Sequence, residues 1–370
     1  MVPATARRVR GEVSRRIAVV ACGVLLLTAV FLQRSTIVAA AGELRSMPLW
    51  VVAALVVVGL AERAVRVDIY RILLGSPRYG DAALVHETGS AASKGLPMGG
   101  AVGTALRWSV ARDRSIPTST FAVALIATGI ASVFVTWTLP LVALGIDLTQ
   151  RSPESMDFVV VGICSTVVIA AIAVWTVLLG SDRIHRWAVE RCRRVCARLG
   201  RRFPGADHVD PETGIDDVRT GLRSVAARPW GLVGRTVVAQ LCSAAVLLIA
   251  LRSVGVGGEL GNVEFLRVYF IVTLLGSFIP TPGGVGVIEA GLTGALVAAG
   301  APPAGALAAV LVYRAITYVM PIVIGAAMYV VWRTRMVTCP NELSAEQAVD
   351  QAVGHAGEVL ALPPVSLVAA

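Results

Sequence analysis

Two ionisable side chains stand inside long apolar stretches late in the chain, Glu289 and Arg314. A charge at the centre of a hydrocarbon layer costs about 2.5–3.5 kcal/mol, so such residues are candidates for function by default. Glu289 follows Pro280-Thr281-Pro282-Gly283-Gly284-Val285-Gly286. That run cannot hold an uninterrupted helix, because Pro lacks an amide hydrogen and Gly loses the most freedom on ordering. The break leaves free N–H groups and a helix start near Val285, with its positive dipole end facing the break. An anion such as a lipid phosphate suits that geometry. Glu289 then falls one turn into the helix, and Arg314 either pairs with it or meets the phosphate directly. The competing reading is a buried ion pair that only sets helix register. Tyr313 and Tyr318 flank Arg314 and serve either as contacts or as interfacial anchors. The candidate binding residues are therefore Pro280, Pro282, Gly283, Gly284, Gly286, Glu289, Tyr313, Arg314 and Tyr318. Arg235, the third charge in an apolar run, reads as snorkelling or pairing with a neighbouring helix.

The first half carries an echo of this break, Pro97-Met98-Gly99-Gly100, inside a Gly/Ala/Ser-rich segment over 82–110. That segment is too polar for a lipid-facing span and suits a re-entrant or cavity-lining piece. Pro97, Gly99 and Gly100 form a second-half candidate site. Inverted repeats with broken helices are a recurring transporter plan, although two Gly-Gly pairs after Pro also arise by chance.

The elements that must position these residues follow from composition. The chain has 370 residues, 56% apolar and 15% charged, with mean hydropathy +0.74. Globular chains average about 45–50% apolar and about 25% charged, and here both values depart in the same direction. A soluble multidomain enzyme and a disordered chain are excluded. The expectation is an all-α, polytopic helical membrane protein with about eight hydrophobic segments, some broken or re-entrant.

The first run, 17–32, is an uncleaved span or a signal peptide, given the small residues at 38–41. Next come a short run near 46–61 ending in Glu62-Arg63, whose stems snorkel, and an amphipathic elbow over 63–74 lying at the membrane surface. Clear spans follow at 119–145, 157–180 and 230–251, then shorter pieces at 265–279 and 285–299. The last piece, 303–332, is longer than a bilayer requires and holds Arg314 and Pro321, so a kink or an interfacial entry is expected. The loop 181–229 opens with a basic amphipathic stretch over 183–202 that suits an anionic inner leaflet or a solvated face. Domains read as a basic cytoplasmic N-terminus (1–16), one transmembrane domain (17–335) and a disordered tail (336–370).

The net charge of +9 resembles a nucleic-acid signal, but the cations cluster between apolar runs without aromatic interleaving. With both termini inside, 26 basic and 17 acidic residues fall on the cytoplasmic side, against 5 and 6 outside. That is the positive-inside pattern of a multi-pass cell-membrane protein. Nucleic-acid binding is not expected. The six cysteines read as reduced structural thiols, no metal or other cofactor is implied, and no Walker-type phosphate loop occurs.

The run Pro280-Thr281-Pro282-Gly283-Gly284-Val285-Gly286-Val287-Ile288-Glu289-Ala290, then Gly300, then Tyr313-Arg314-Ala315-Ile316-Thr317-Tyr318 with Pro321 and Gly325, resembles the signature of the lysylphosphatidylglycerol synthase transmembrane-region family. The likeness covers roughly residues 15–335, and the first half joins it through Pro97, Gly99 and Gly100. Some relatives carry a basic residue before the acid, where this chain has Ile288. The resemblance implies a flippase-like integral membrane protein that moves or handles a membrane phospholipid or a polyprenyl-type, lipid-linked head group. The aminoacyltransferase domain of two-part relatives is not expected here, so the chain is read as a non-enzyme. Two other readings remain open: an integral-membrane transferase using a lipid-linked substrate, and a membrane scaffold regulating a partner enzyme. The outer carboxylates Asp147, Glu154, Asp157, Glu259 and Glu264 form no tight pair for the former.

Overall fold

In a computed structural model of the chain, the described residues are 47–338, apart from 77, 97–98, 150–151, 154, 184–185, 188, 192, 195–210, 257–259 and 278–285. The expected first span, the N-terminal basic segment and most of the tail lie outside them. So do Pro97, Pro280, Pro282, Gly283 and Gly284. The described residues form eleven α-helices and one π-helical turn, with no strand among them. The chain divides into two compact units, Met1–Ala326 and Ala327–Ala370.

The helices are α1 (Leu49–Leu73), α2 (Tyr79–Gly95), α3 (Gly99–Asp113), α4 (Thr118–Asp147), α5 (Ser155–Gly180), α6 (Pro211–Ala226), α7 (Pro229–Ser253), α8 (Asn262–Gly276), α9 (Val287–Ala298), α10 (Pro303–Arg314) and α11 (Met320–Thr338). The π-turn Ala315–Val319 joins the last two. Pro48, Pro117 and Pro302 occupy N-caps, while α7 and α10 take Pro into their first turn. Proline suits a helix start, where its missing N–H has no partner to lose. Helices α4, α5, α7 and the stretch Pro303–Thr334 are long and apolar enough to cross a membrane, and α9 is a shorter apolar helix. The all-α polytopic architecture read from the sequence is the one found.

The core sits where α1, α4, α7, α8, α9 and α10 meet. Leu55, Val135, Leu247, Phe265, Leu292 and Val312 are each at most 1% exposed there. Helix α5 is different. Only Asp157 and Cys164 of its 26 residues are buried, while Phe158, Ile169 and Val174 are exposed. An apolar helix bare on most of its surface is one that faces lipid.

Two features differ from the expectations, and a third, the interruption expected in the long last piece, takes a specific form. The elbow over 63–74 is absent: α1 runs unbroken for 25 residues, and Glu62 and Arg63 are 6% and 5% exposed. Their charges do not snorkel, because each meets an opposite charge inside the bundle. The long last piece is interrupted by a π-turn that ends just before Pro321. The Met320 N–H reaches back five residues to the Ala315 carbonyl. Such bulges accommodate a residue that cannot join the regular ladder. Finally, the polar loop contains α6, with Val218, Leu222 and Val225 packed toward Val123 and Ala127 of α4. Arg219 and Arg223 of α6 donate to the Leu179 carbonyl at the end of α5, at 3.3 and 3.0 Å. Those guanidiniums satisfy an orphan carbonyl and complement the negative end of the helix dipole.

Candidate functional site

The segment 82–110 is a helical hairpin. Helix α2 stops at Gly95, α3 starts at Gly99, and the two pack closely. A Cβ at Gly103 would collide with the Ser93 side chain and come within 2.5 Å of the Gly89 carbonyl, so only glycine allows this approach. The second break lies between α8 and α9, which also pack on each other. Gly286, at φ 80°, precedes the first turn of α9 in a conformation that an L-residue with a Cβ rarely adopts. The two breaks thus share a plan: each sits between helices that fold back together.

Glu289 lies in the first turn of α9, where the helix dipole favours its charge. Its Oε1 accepts from Arg314 Nε at 2.7 Å, and the two side chains are 13% and 5% exposed. The Arg314 guanidinium also lies 4.3 Å from the centre of the Tyr318 ring. The Tyr318 hydroxyl donates to the Lys94 carbonyl at 2.9 Å, and Lys94 Nζ donates to the Thr317 carbonyl at 2.5 Å. The neighbourhoods of the two breaks, far apart in sequence, are therefore joined through Lys94, Thr317, Tyr318, Arg314 and Glu289. Tyr313 points elsewhere. Its hydroxyl lies 3.2 Å from that of Tyr269, with the rings edge to face. Gly99 is buried against the Ala92 and Ser93 carbonyls, whereas Gly100 has open space around it.

A cavity of about 490 Å³ opens beside this junction. That volume falls within the roughly 300–1,000 Å³ usual for ligand sites. Its charged lining is Glu62, Arg63, Arg66, Lys94 and Arg107, contributed by α1, α2 and α3. His86 and Ser90 join from α2, Thr128 and Ser132 from α4, and Thr236 and Gln240 from α7. Tyr269 and Tyr313 close one wall. Of the residues expected from sequence, only Tyr313 lines this cavity. Glu289, Arg314 and Tyr318 form the adjoining buried cluster, and the Pro-Gly run itself lies outside the described residues.

The charges are ordered in pairs. Arg63 Nε reaches both Glu87 oxygens at 3.1 Å, and its Nη2 also meets Oε2. The paired side chains are 6% and 4% exposed. Such a fork holds α1 to α2 and is bidentate in the way that only Arg supports. His86 Nδ1 lies 3.2 Å from the same carboxylate. Arg66 pairs with Glu62 one turn earlier on α1. Among the described residues, Lys94 and Arg107 have no carboxylate in hydrogen-bonding contact. Basic side chains thus outnumber carboxylates there by four to two, and Arg107 is the guanidinium left unmatched. Arg235, outside the cavity, pairs with Asp68 of α1 at 2.8 Å.

This chain matches the family described as the lysylphosphatidylglycerol synthase TM region over residues 16–325. It belongs to that family. No curated protein matches it. The family assignment makes the chain an integral membrane protein and agrees with the apolar helices. Among the described residues of this family member, no group of three His, Cys, Asp or Glu side chains could hold a metal.

Sequence reasoning missed Glu62, Arg63, Arg66, Glu87, Lys94 and Arg107. One signal was available: Glu62, Arg63 and Arg66 stand on one turn of a helix whose preceding turns are apolar. Lys94 is also the chain's single lysine, placed next to a Pro-Gly break.

Proposed function

We propose that the protein is a lipid transporter of the flippase type, moving a lipid whose anionic head group enters the cavity between α1, α2, α3, α4 and α7. The observation that carries this reading is the unmatched Arg107 guanidinium, with basic side chains outnumbering carboxylates, in a 490 Å³ polar cavity set among apolar helices. Unpaired cations are costly there unless a ligand supplies the opposite charge, and intramembrane charges mark substrate paths. The junction of the two broken hairpins beside the cavity supports alternation between two openings, since broken helices meeting at depth are the moving parts of transporters. The family is named for a synthase of a modified phospholipid, and a membrane lipid as substrate agrees with that. A transporter of this kind needs no catalytic group of its own, and we read the chain as a non-enzyme in the cell membrane with both termini cytoplasmic.

The test is translocation of fluorescent phosphatidylglycerol in vesicles, read as the dye accessible to a membrane-impermeant quencher. Vesicles holding the wild-type chain should equilibrate label at least tenfold faster than empty ones. The Arg107→Gln variant, reconstituted to the same density, should behave like empty vesicles. Equal rates with and without the wild-type protein would overturn the proposal.

A further inference from the structure

The lining chemistry of the cavity narrows the head group, an inference that rests on the transport reading above. We infer that the cavity selects a lipid-linked phosphate bearing a polyol or sugar and excludes head groups that carry an amine.

The anionic part is set by two basic side chains. Arg107 Nε is buried without a hydrogen-bond partner among the described residues. Its guanidinium lies 5.6 Å from the Tyr70 ring centre, and Nη2 makes only a long contact of 3.4 Å with Ser90 Oγ. A buried N–H left unmade costs free energy until an acceptor arrives, and a phosphate oxygen is the acceptor best matched to a guanidinium. Lys94 stands on the same hairpin, at the break, and places a second basic group on the cavity wall.

The hydroxyl part is set by three threonines. Thr128, Thr236 and Thr273 line the cavity, and each donates its hydroxyl hydrogen to a carbonyl of its own helix, at 2.7, 2.9 and 2.8 Å. What each hydroxyl has left is acceptor capacity. Such a wall receives donors, which a polyol or sugar supplies and a bare phosphate does not. An ammonium also donates, but it would add charge to a site where basic side chains already outnumber carboxylates. Both carboxylates that could compensate it, Glu62 and Glu87, are already held by Arg66 and Arg63.

The probes are phosphatidylinositol, phosphatidic acid, lysyl-phosphatidylglycerol and soluble inositol 1-phosphate, each titrated against the full chain in detergent with binding read by thermal stabilisation. Phosphatidylinositol should bind roughly tenfold or more tightly than either of the other lipids. Soluble inositol 1-phosphate should bind more weakly still. The variant Thr236→Val should weaken phosphatidylinositol severalfold and leave phosphatidic acid unchanged, and Arg107→Gln should weaken both. Lysyl-phosphatidylglycerol or phosphatidic acid binding as tightly as phosphatidylinositol would overturn the assignment. Equal affinity for the soluble phosphate would reassign the site to a free metabolite and overturn its lipid part. Selective binding without translocation would instead remove the transport reading and leave the head-group assignment standing.

Discussion

The Lys94 side chain donates to the Thr317 carbonyl, whose regular helical donor four residues on would be Pro321, a residue without an N–H. The contact ties the break of the first hairpin to the π-turn after Arg314. The Tyr318 hydroxyl returns a hydrogen bond to the Lys94 carbonyl, itself an orphan at the end of α2. Each side therefore satisfies a backbone group that local structure abandons on the other.

This clamp predicts a coupling. Lys94→Met should destabilise the protein by about 1–3 kcal/mol through the stranded carbonyl. Pro321→Ala restores an N–H that can reach Thr317, so the double variant should recover most of that loss. Thermal unfolding in detergent of the two single variants and the double variant measures the coupling, and additive losses would refute it.

The Arg63–Glu87 fork should behave as a buried pair. Removing one partner, as in Glu87→Leu, leaves an uncompensated cation and should cost about 3–5 kcal/mol. Removing both, in Arg63→Met/Glu87→Leu, should cost clearly less than the sum of the single changes. Denaturation midpoints for the four proteins report this directly.

Glu289 and Arg314 are predicted to act in lipid movement more than in folding. Glu289→Gln keeps the shape and one acceptor toward Arg314 while removing the charge. Arg314→Ala also removes the cation above Tyr318, a contact worth about 1–2 kcal/mol when desolvated. Glu289→Gln should abolish translocation in vesicles with monodisperse protein at wild-type yield, whereas Arg314→Ala, which strands the Glu289 carboxylate, should lose stability as well as translocation. Wild-type rates in both would confine the pair to setting register.

Gly103 should tolerate no side chain. Gly103→Val forces α3 away from Ser93 and the Gly89 carbonyl, with an expected cost of about 1–3 kcal/mol from overpacking. Gly100→Ala on the same helix meets open space and should be neutral or slightly stabilising. Comparing the two melting temperatures separates close packing from general helix propensity.

Much of the fold was legible because lipid-facing and buried helices share a signal, a long apolar run. Helices α4, α5 and α7 fall within a few residues of the runs expected at 119–145, 157–180 and 230–251. Proline and glycine punctuation placed the break between α2 and α3, since those residues act locally. Helix α6 was missed although its apolar residues recur at helical spacing, because a polar mean composition hides a one-sided face. Arg63 was read as snorkelling for a different reason. A charge near the end of an apolar run looks the same whether it reaches out to water or across to a carboxylate 24 residues away.

By itself, then, the sequence determined the membrane class, the long apolar helices and the two places where helices must break. Those follow from hydropathy and from backbone limits that operate within a few residues. Only the tertiary structure decided which charges converge. Arg63 meets Glu87, Lys94 meets Thr317, and Arg107 comes to stand beside Ser90 over Tyr70, through contacts 17 to 223 residues apart in the chain. A buried charge is stabilised by whatever packing brings within a few ångströms, and no spacing along the chain specifies that partner.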